Sequence, residues 1–216
     1  MPVQENQVVT LNMQEDFAGK LATERPVQAI AELIWNGLDA EATNIKVTAE
    51  ADELKTNSIT VQDNGHRMSR VEAVRYFENL GGSWKKAITR PRLAYDIYME
   101  KKARGRLRAL ALERVAEWTV TGKNEEGSLE TFHVVIIRDN IRSARMSPAI
   151  EAKRGTQSGT RILVTELNKD WRLDAPGVAQ EISELFALYM TEYPDVSISV
   201  DGHKIDPAAA ISHKQT

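Results

Sequence analysis

The clearest pattern in the chain is an apolar helix crossed by a polar stripe. Ile30, Leu33, Ile34, Trp35 and Leu38 recur at helical spacing, and Glu32, Asn36 and Asp39 fall at i, i+4 and i+7 among them. Pro26 suits the first turn of a helix, so the spacing predicts a largely buried helix from there to about Ala40. Polar groups are costly to bury without partners, so the stripe faces either a site or solvent. Ile45, Val47 and Ala49 then alternate, predicting a half-buried strand over 44–51. Lys55 to Ser58 reads as a turn, and Ile59 to Val61 opens a strand that stops at Asp63-Asn64-Gly65. Ser69 is placed to cap a helix running to about Asn79.

Either side of this segment the pattern is patchier. Val8 to Leu11 predicts a short strand and Met13 to Leu21 a short helix. Gly81-Gly82 opens a stretch to Arg104 with the length of a lid rather than of a tight connection. Arg106 to Glu113, with Leu107, Leu110 and Ala111 on one side, predicts a helix. Val115 to Thr121 and Thr131 to Ile137 predict two antiparallel strands joined through Gly122 to Gly127. Arg138 to Gln157 reads as a long polar loop and Gly159 to Leu167 as the next strand. Val178, Ile182, Leu185, Phe186 and Tyr189 mark an amphipathic helix of about four turns. Val196, Ile198 and Val200 alternate before the turn pair Asp201-Gly202. The sum is an α/β (α+β) two-layer sandwich, with helices on one face of a mixed, mainly antiparallel sheet. It forms one domain over 1–205, leaving 206–216 as a tail or the start of a following domain.

Composition narrows the class. With 216 residues, 42% hydrophobic and 27% charged, the chain suits one soluble domain with a sizeable core. The absence of cysteine excludes disulfides and thiolate metal sites and agrees with a reducing compartment. No signal-peptide pattern opens the chain and no apolar run reaches membrane-spanning length, so the expectation is a cytoplasmic protein without a membrane partner. The net charge of -3 does not indicate nucleic acid, yet residues 84–114 carry +7 against -10 elsewhere. Such a concentration signals either a local anionic ligand or a solvated basic face. His66, His133, His203 and His213 lack metal-site spacing. Neither a Gly-x-x-x-x-Gly-Lys-Ser/Thr loop nor a Gly-x-Ser-x-Gly elbow occurs.

Four segments together form a recognisable order. Glu32-x-x-x-Asn36-x-x-Asp39-Ala40 precedes Asp63-Asn64-Gly65, then Gly105 in the basic segment, then Gly159-Thr160. This order resembles the GHKL superfamily of ATP-binding domains: gyrase B subunits, heat-shock ninety chaperones, sensor histidine kinases and MutL. The resemblance spans about Pro26 to Leu167 and looks closest to bacterial stand-alone heat-shock-ninety-like ATPases. It implies the Bergerat-type ATP-binding fold, with ATP and Mg²⁺ as ligands. Glu32 then matches the general base that orients water at the γ-phosphate, and Asn36 the Mg²⁺ ligand. Asp39 matches a deeper supporting residue. Asp63 matches the adenine reader, and Thr160 the residue that completes the adenine end through water. Gly65, Met68 and Gly105 match further nucleotide contacts. Sensor kinases usually carry asparagine at the position of Glu32, so glutamate favours hydrolysis over phosphotransfer. Taken singly, Asp63 also reads as an Asx-turn residue and Thr160 as an ordinary strand threonine.

The glycines depart from the family pattern. Arg67 stands where the second glycine of Asp-x-Gly-x-Gly is expected, Gly105 is the one lid glycine kept in place, after Ala103, and Glu113 replaces another. A side chain at such positions either strains the loop or, as arginine, grips phosphate. Trp84, Lys85 and Lys86 begin the segment that would fold over the nucleotide. The resemblance implies ATP-driven lid closure and dimerisation, a protein client, and a catalytic lysine from a following domain, so hydrolysis by this chain alone is expected to be weak. The alternative reading is a degenerate, non-hydrolysing nucleotide-responsive or protein-interaction module.

Overall fold

The computed structural model describes residues 6–11, 25–53, 56–66, 69–78, 113–167, 172–175 and 177–208. Helix α1 (Pro26–Asp39) starts where its proline allows, with Arg25 extended before it and no N–H lost from the helix interior. Its apolar residues Ile30, Leu33, Ile34 and Leu38 are all at most 3% exposed. Helix α2 (Arg70–Glu78) opens on a capping box. The Glu72 carboxylate accepts from the N–H of Ser69 at 2.8 Å, while Ser69 Oγ accepts from the N–H of Glu72 at 3.3 Å. Helix α3 (Val178–Glu192) turns Ile182, Phe186 and Met190 inward.

The strands are β1 (Gln7–Thr10), β2 (Asn44–Ala51), β3 (Thr56–Asp63), β4 (Glu113–Lys123), β5 (Leu129–Ile137), β6 (Ser143–Met146), β7 (Ile150–Glu151), β8 (Gly159–Leu167), β9 (Ser197–Val200) and β10 (His203–Lys204). They form one sheet in the order β1-β6-β5-β4-β8-β3-β2-β9-β10, with β7 paired to β5. Among the described strands all pairings are antiparallel except β2 with β9. The expected two-layer arrangement is therefore observed, with the helices on one face. Trp35 of α1 packs on Phe186 of α3 at 4.8 Å between ring centroids and meets Tyr189 edge-on at 5.3 Å. Phe77 of α2 meets Trp118 of β4 edge-on at 5.9 Å. Fully buried Phe132 and Phe186 each contribute roughly 1.5–3 kcal/mol through transfer from water.

Several boundaries differ from the sequence pattern. Thr56 to Ser58 belong to β3 rather than to a turn, because the ladder runs through Ala51↔Thr56 and Glu50↔Ser58 and Ser58 Oγ donates to Glu50 Oε2 at 3.1 Å. Gly122 lies within β4, which pairs with β5 as far as Lys123↔Leu129. The polar stretch after Arg138 holds β6 and β7, strands too short for alternation to reveal. Glu113 begins β4 instead of ending a helix. Residues 106–112, the expected helix over 13–21 and the lid stretch over 81–104 lie outside the described residues. The Asp201-Gly202 turn has positive φ at both positions, 50° and 82°, as a two-residue hairpin between β9 and β10 demands.

Candidate functional site

One row across the sheet departs from the apolar rule. Phe132, Val120, Thr160, Asp63, Ile45 and Ile198 are successive cross-strand neighbours on β5, β4, β8, β3, β2 and β9. Residues directly opposite share a face, so all six point toward the helices. The outer four are aliphatic or aromatic and at most 5% exposed; Asp63 and Thr160 in the middle are 8% exposed each. A carboxylate and a hydroxyl held side by side under a helical layer are costly unless they have partners. Asp63 has one in the N–H of Gly65, 2.9 Å from its Oδ1, which is the Asx turn the sequence allows. A carboxylate has about four acceptor sites in all, more than this one turn uses.

Helix α1, which lies over this row at Gly37, also carries the polar stripe. Glu32 is 4% exposed, Asn36 is half-buried and Asp39 is exposed at the helix's last position. The stripe thus rises from the core to the surface, and Asp39 is the shallowest of the three rather than the deepest, because it runs off the covered end of the helix. The helix comes close over β3 at Gly37. A Cβ there would stand 3.1 Å from Asp63 Cβ and from Ile45 Cδ1. Two more glycines mark close approaches nearby, Gly65 at the end of α1 and Gly159 at the same aspartate. A Cβ on Gly65 would stand 2.6 Å from the carbonyl oxygen of Ala40, and one on Gly159 would overlap the carbonyl oxygen of Asp63. Gly37 has no role in the motif pattern, yet a glycine inside a buried helix costs about 1 kcal/mol relative to alanine and so signals close approach.

The loop after Asp63 is tied to the end of α1. His66 N donates to Ala40 O at 2.8 Å, and Asn64 reaches Thr43 and Asn44 with its side chain. Met68, Arg67, Ala103, Gly105 and residues 84–112 of the basic segment 84–114 lie outside the described residues. Among the described residues no group of three or more His, Asp or Glu side chains could hold a metal by itself. The donor chemistry present instead is a half-buried amide one helical turn from a buried carboxylate. That fits Mg²⁺, which takes few protein oxygens and completes its shell with water and phosphate.

Residues 24–160 match the family described as Histidine kinase-, DNA gyrase B-, and HSP90-like ATPase. The chain belongs to this family. The match runs from the residue before Arg25 to Thr160, so it takes in α1, β3 and the start of β8, and membership of this ATPase family implies ATP binding. The chain is also 29% identical over 207 residues to the DNA mismatch repair protein MutL of Trichlorobacter lovleyi, an alignment covering 89% of this chain and 32% of that protein. It therefore spans about a third of the length of that curated relative. These likenesses establish the GHKL-type ATPase domain without singling out its stand-alone heat-shock-ninety-like branch. Among the described residues of this ATPase-family domain no helix is long and apolar enough to cross a membrane.

Proposed function

We propose that this GHKL-type domain binds ATP against the Asp63–Thr160 pair beneath α1 and hydrolyses it with Mg²⁺. The observation that supports it best is the pair itself, two nine-tenths-buried polar side chains in register inside an apolar row, with the buried Glu32 carboxylate on the helix above. Asp63 accepts a hydrogen bond from the adenine amine, and Thr160 Oγ1 reaches the base through water. Gly65, Met68 and Gly105 line the nucleotide, and Asp39 supports it from the rim through water. Asn36 supplies an amide oxygen that would hold Mg²⁺, whose charge offsets that of the phosphates when bound.

Glu32 acts as general base. Its carboxylate takes a proton from water as the water oxygen bonds to the γ-phosphorus; the bond to the β–γ bridging oxygen breaks, and ADP leaves carrying that electron pair. The burial of Glu32 keeps bulk water from competing for the carboxylate. Full turnover draws on a lysine from a following domain, and nucleotide drives closure of the segment after Gly81 and pairing of two copies. The kinship to heat-shock-ninety-like ATPases or to MutL decides the client, and the likeness over 89% of the chain supports the MutL side.

Calorimetric titration with ATP and Mg²⁺, paired with phosphate release, tests this reading. Saturable binding that Asp63→Asn weakens at least about tenfold and slow release that Glu32→Ala abolishes are expected. No binding by the parent protein overturns it. Binding with phosphate release absent, and unaffected by Glu32→Ala, would instead identify a nucleotide-responsive module that does not hydrolyse.

A further inference from the structure

We infer that Asn64 is a positioning residue that fastens the loop carrying Asp63 to the end of the helix carrying Glu32 and Asn36, so that both halves of the nucleotide site move as one body. The inference rests on the ATP-binding reading above.

Asn64 is exposed, so packing does not explain its place in the fold. Its side chain is nevertheless engaged at both ends. Oδ1 accepts from the N–H groups of Thr43 at 3.0 Å and Asn44 at 2.8 Å, and Nδ2 donates to Thr43 Oγ1 at 3.0 Å. Its own N–H donates to Asn44 O at 3.3 Å. Thr43 and Asn44 lie where the chain leaves α1 for β2, and Ser197 N of the neighbouring β9 also donates to Thr43 O at 2.8 Å. The amide therefore ties two backbone donors of the α1–β2 turn to the residue next to Asp63.

The flanking contacts make the direction of coupling clear. Asp63 Oδ1 holds the N–H of Gly65, and His66 N holds Ala40 O, so residues 63 to 66 lie against residues 40 to 44 at successive points. The His66 contact is backbone to backbone, and the Asp63 turn belongs to the binding site. Asn64 is the tie that a side-chain change cuts without touching either. A loop cut free populates arrangements that cannot bind, and apparent affinity falls in proportion to the competent fraction. Losing a net one or two hydrogen bonds lowers the equilibrium constant between the held and the free loop roughly tenfold, and the competent fraction falls by up to that factor.

ADP titration of the parent, Asn64→Ala and Asn64→Asp at physiological salt tests this, with amide exchange at Thr43, Asn44, Gly65 and His66 followed in the same samples. Asp keeps the acceptor for both N–H groups, and at this salt its exposed charge is screened from groups more than about 8 Å away. The expected result is about tenfold weaker ADP binding and faster exchange at all four amides for Asn64→Ala, a native circular dichroism spectrum, and recovery to within about threefold of the parent for Asn64→Asp. Parent-like affinity in Asn64→Ala, or an Asp variant as weak as Ala, overturns the inference while leaving the ATP reading intact. A parent that binds no ADP overturns both.

Discussion

Asp63 and Thr160 face one another across the β3–β8 ladder, each 8% exposed, with Val120 beyond Thr160 and Ile45 beyond Asp63. In the proposed reading, this acid and hydroxyl at the centre of a buried row form the end of the site that reads the base. Glu32 and Asn36 on the helix above serve the other end.

Replacing Asp63 by Asn separates recognition from folding. The amide oxygen of Asn still accepts from Gly65 N and keeps the turn, so the melting temperature stays within a few degrees of the parent. The acceptor proposed for the adenine amine loses its charge, worth about 1.5–3 kcal/mol, and the Kd for ADP is expected to rise at least about tenfold by calorimetry.

Glu32→Gln preserves the shape of a 4%-exposed side chain and removes its basicity. ADP affinity is expected to be unchanged, while phosphate release falls by roughly 10²–10⁴-fold. Equal loss of binding and turnover would assign Glu32 to the fold instead.

Gly159→Ala tests the crowding at Asp63. Its methyl group would overlap the Asp63 carbonyl oxygen, a backbone atom that cannot swing away. Strand β8 must shift against β3, costing about 1–3 kcal/mol or more in urea unfolding, and ADP binding weakens with it. Alanine at Gly127, where nothing stands within 4 Å of a new Cβ, strains its positive φ but leaves ADP binding unchanged.

Phe186→Ala removes the ring that seats Trp35 and joins α3 to α1. Fully buried aromatic truncations cost about 3–5 kcal/mol, and Trp35 fluorescence should shift to the red as the ring becomes wet. Both effects are expected here, because Phe186 is 0% exposed and 4.8 Å from the indole.

Arg172 grips Asp174 through Nε to Oδ1 and Nη2 to Oδ2, both 2.8 Å, and this holds the Asp174 carboxyl below its ordinary value. Its stabilising share is complete above the unfolded-chain value and disappears as pH falls through the lower folded one. The pair is exposed, so the share is small and weakened by salt. Following the Asp174 carboxyl carbon by NMR should show a midpoint that returns to the ordinary value in Arg172→Ala.

The local pattern determined the elements with the strongest burial signature. Helix α1 sits where its dense apolar run places it, buried around most of its girth from Ala29 to Leu38, and strands β2 and β8 where their alternation places them, because Ile45 with Val47 and Ile162 with Val164 point one way at the period of a strand. The ordered motifs also marked Glu32, Asn36, Asp63 and Thr160 as candidates. Tertiary structure alone decided which of these meet. Thr160 lies opposite Asp63 because strands far apart in the chain pair in one register, chosen by inter-strand hydrogen bonds and by the packing of whole rows rather than by local preference. The same pairing turned the polar residues Thr56 to Ser58 into strand and drew β6 and β7 out of a polar stretch. It also gave Gly37, Gly65 and Gly159 their shared task, since the space each leaves empty is filled by a segment that sequence distance conceals.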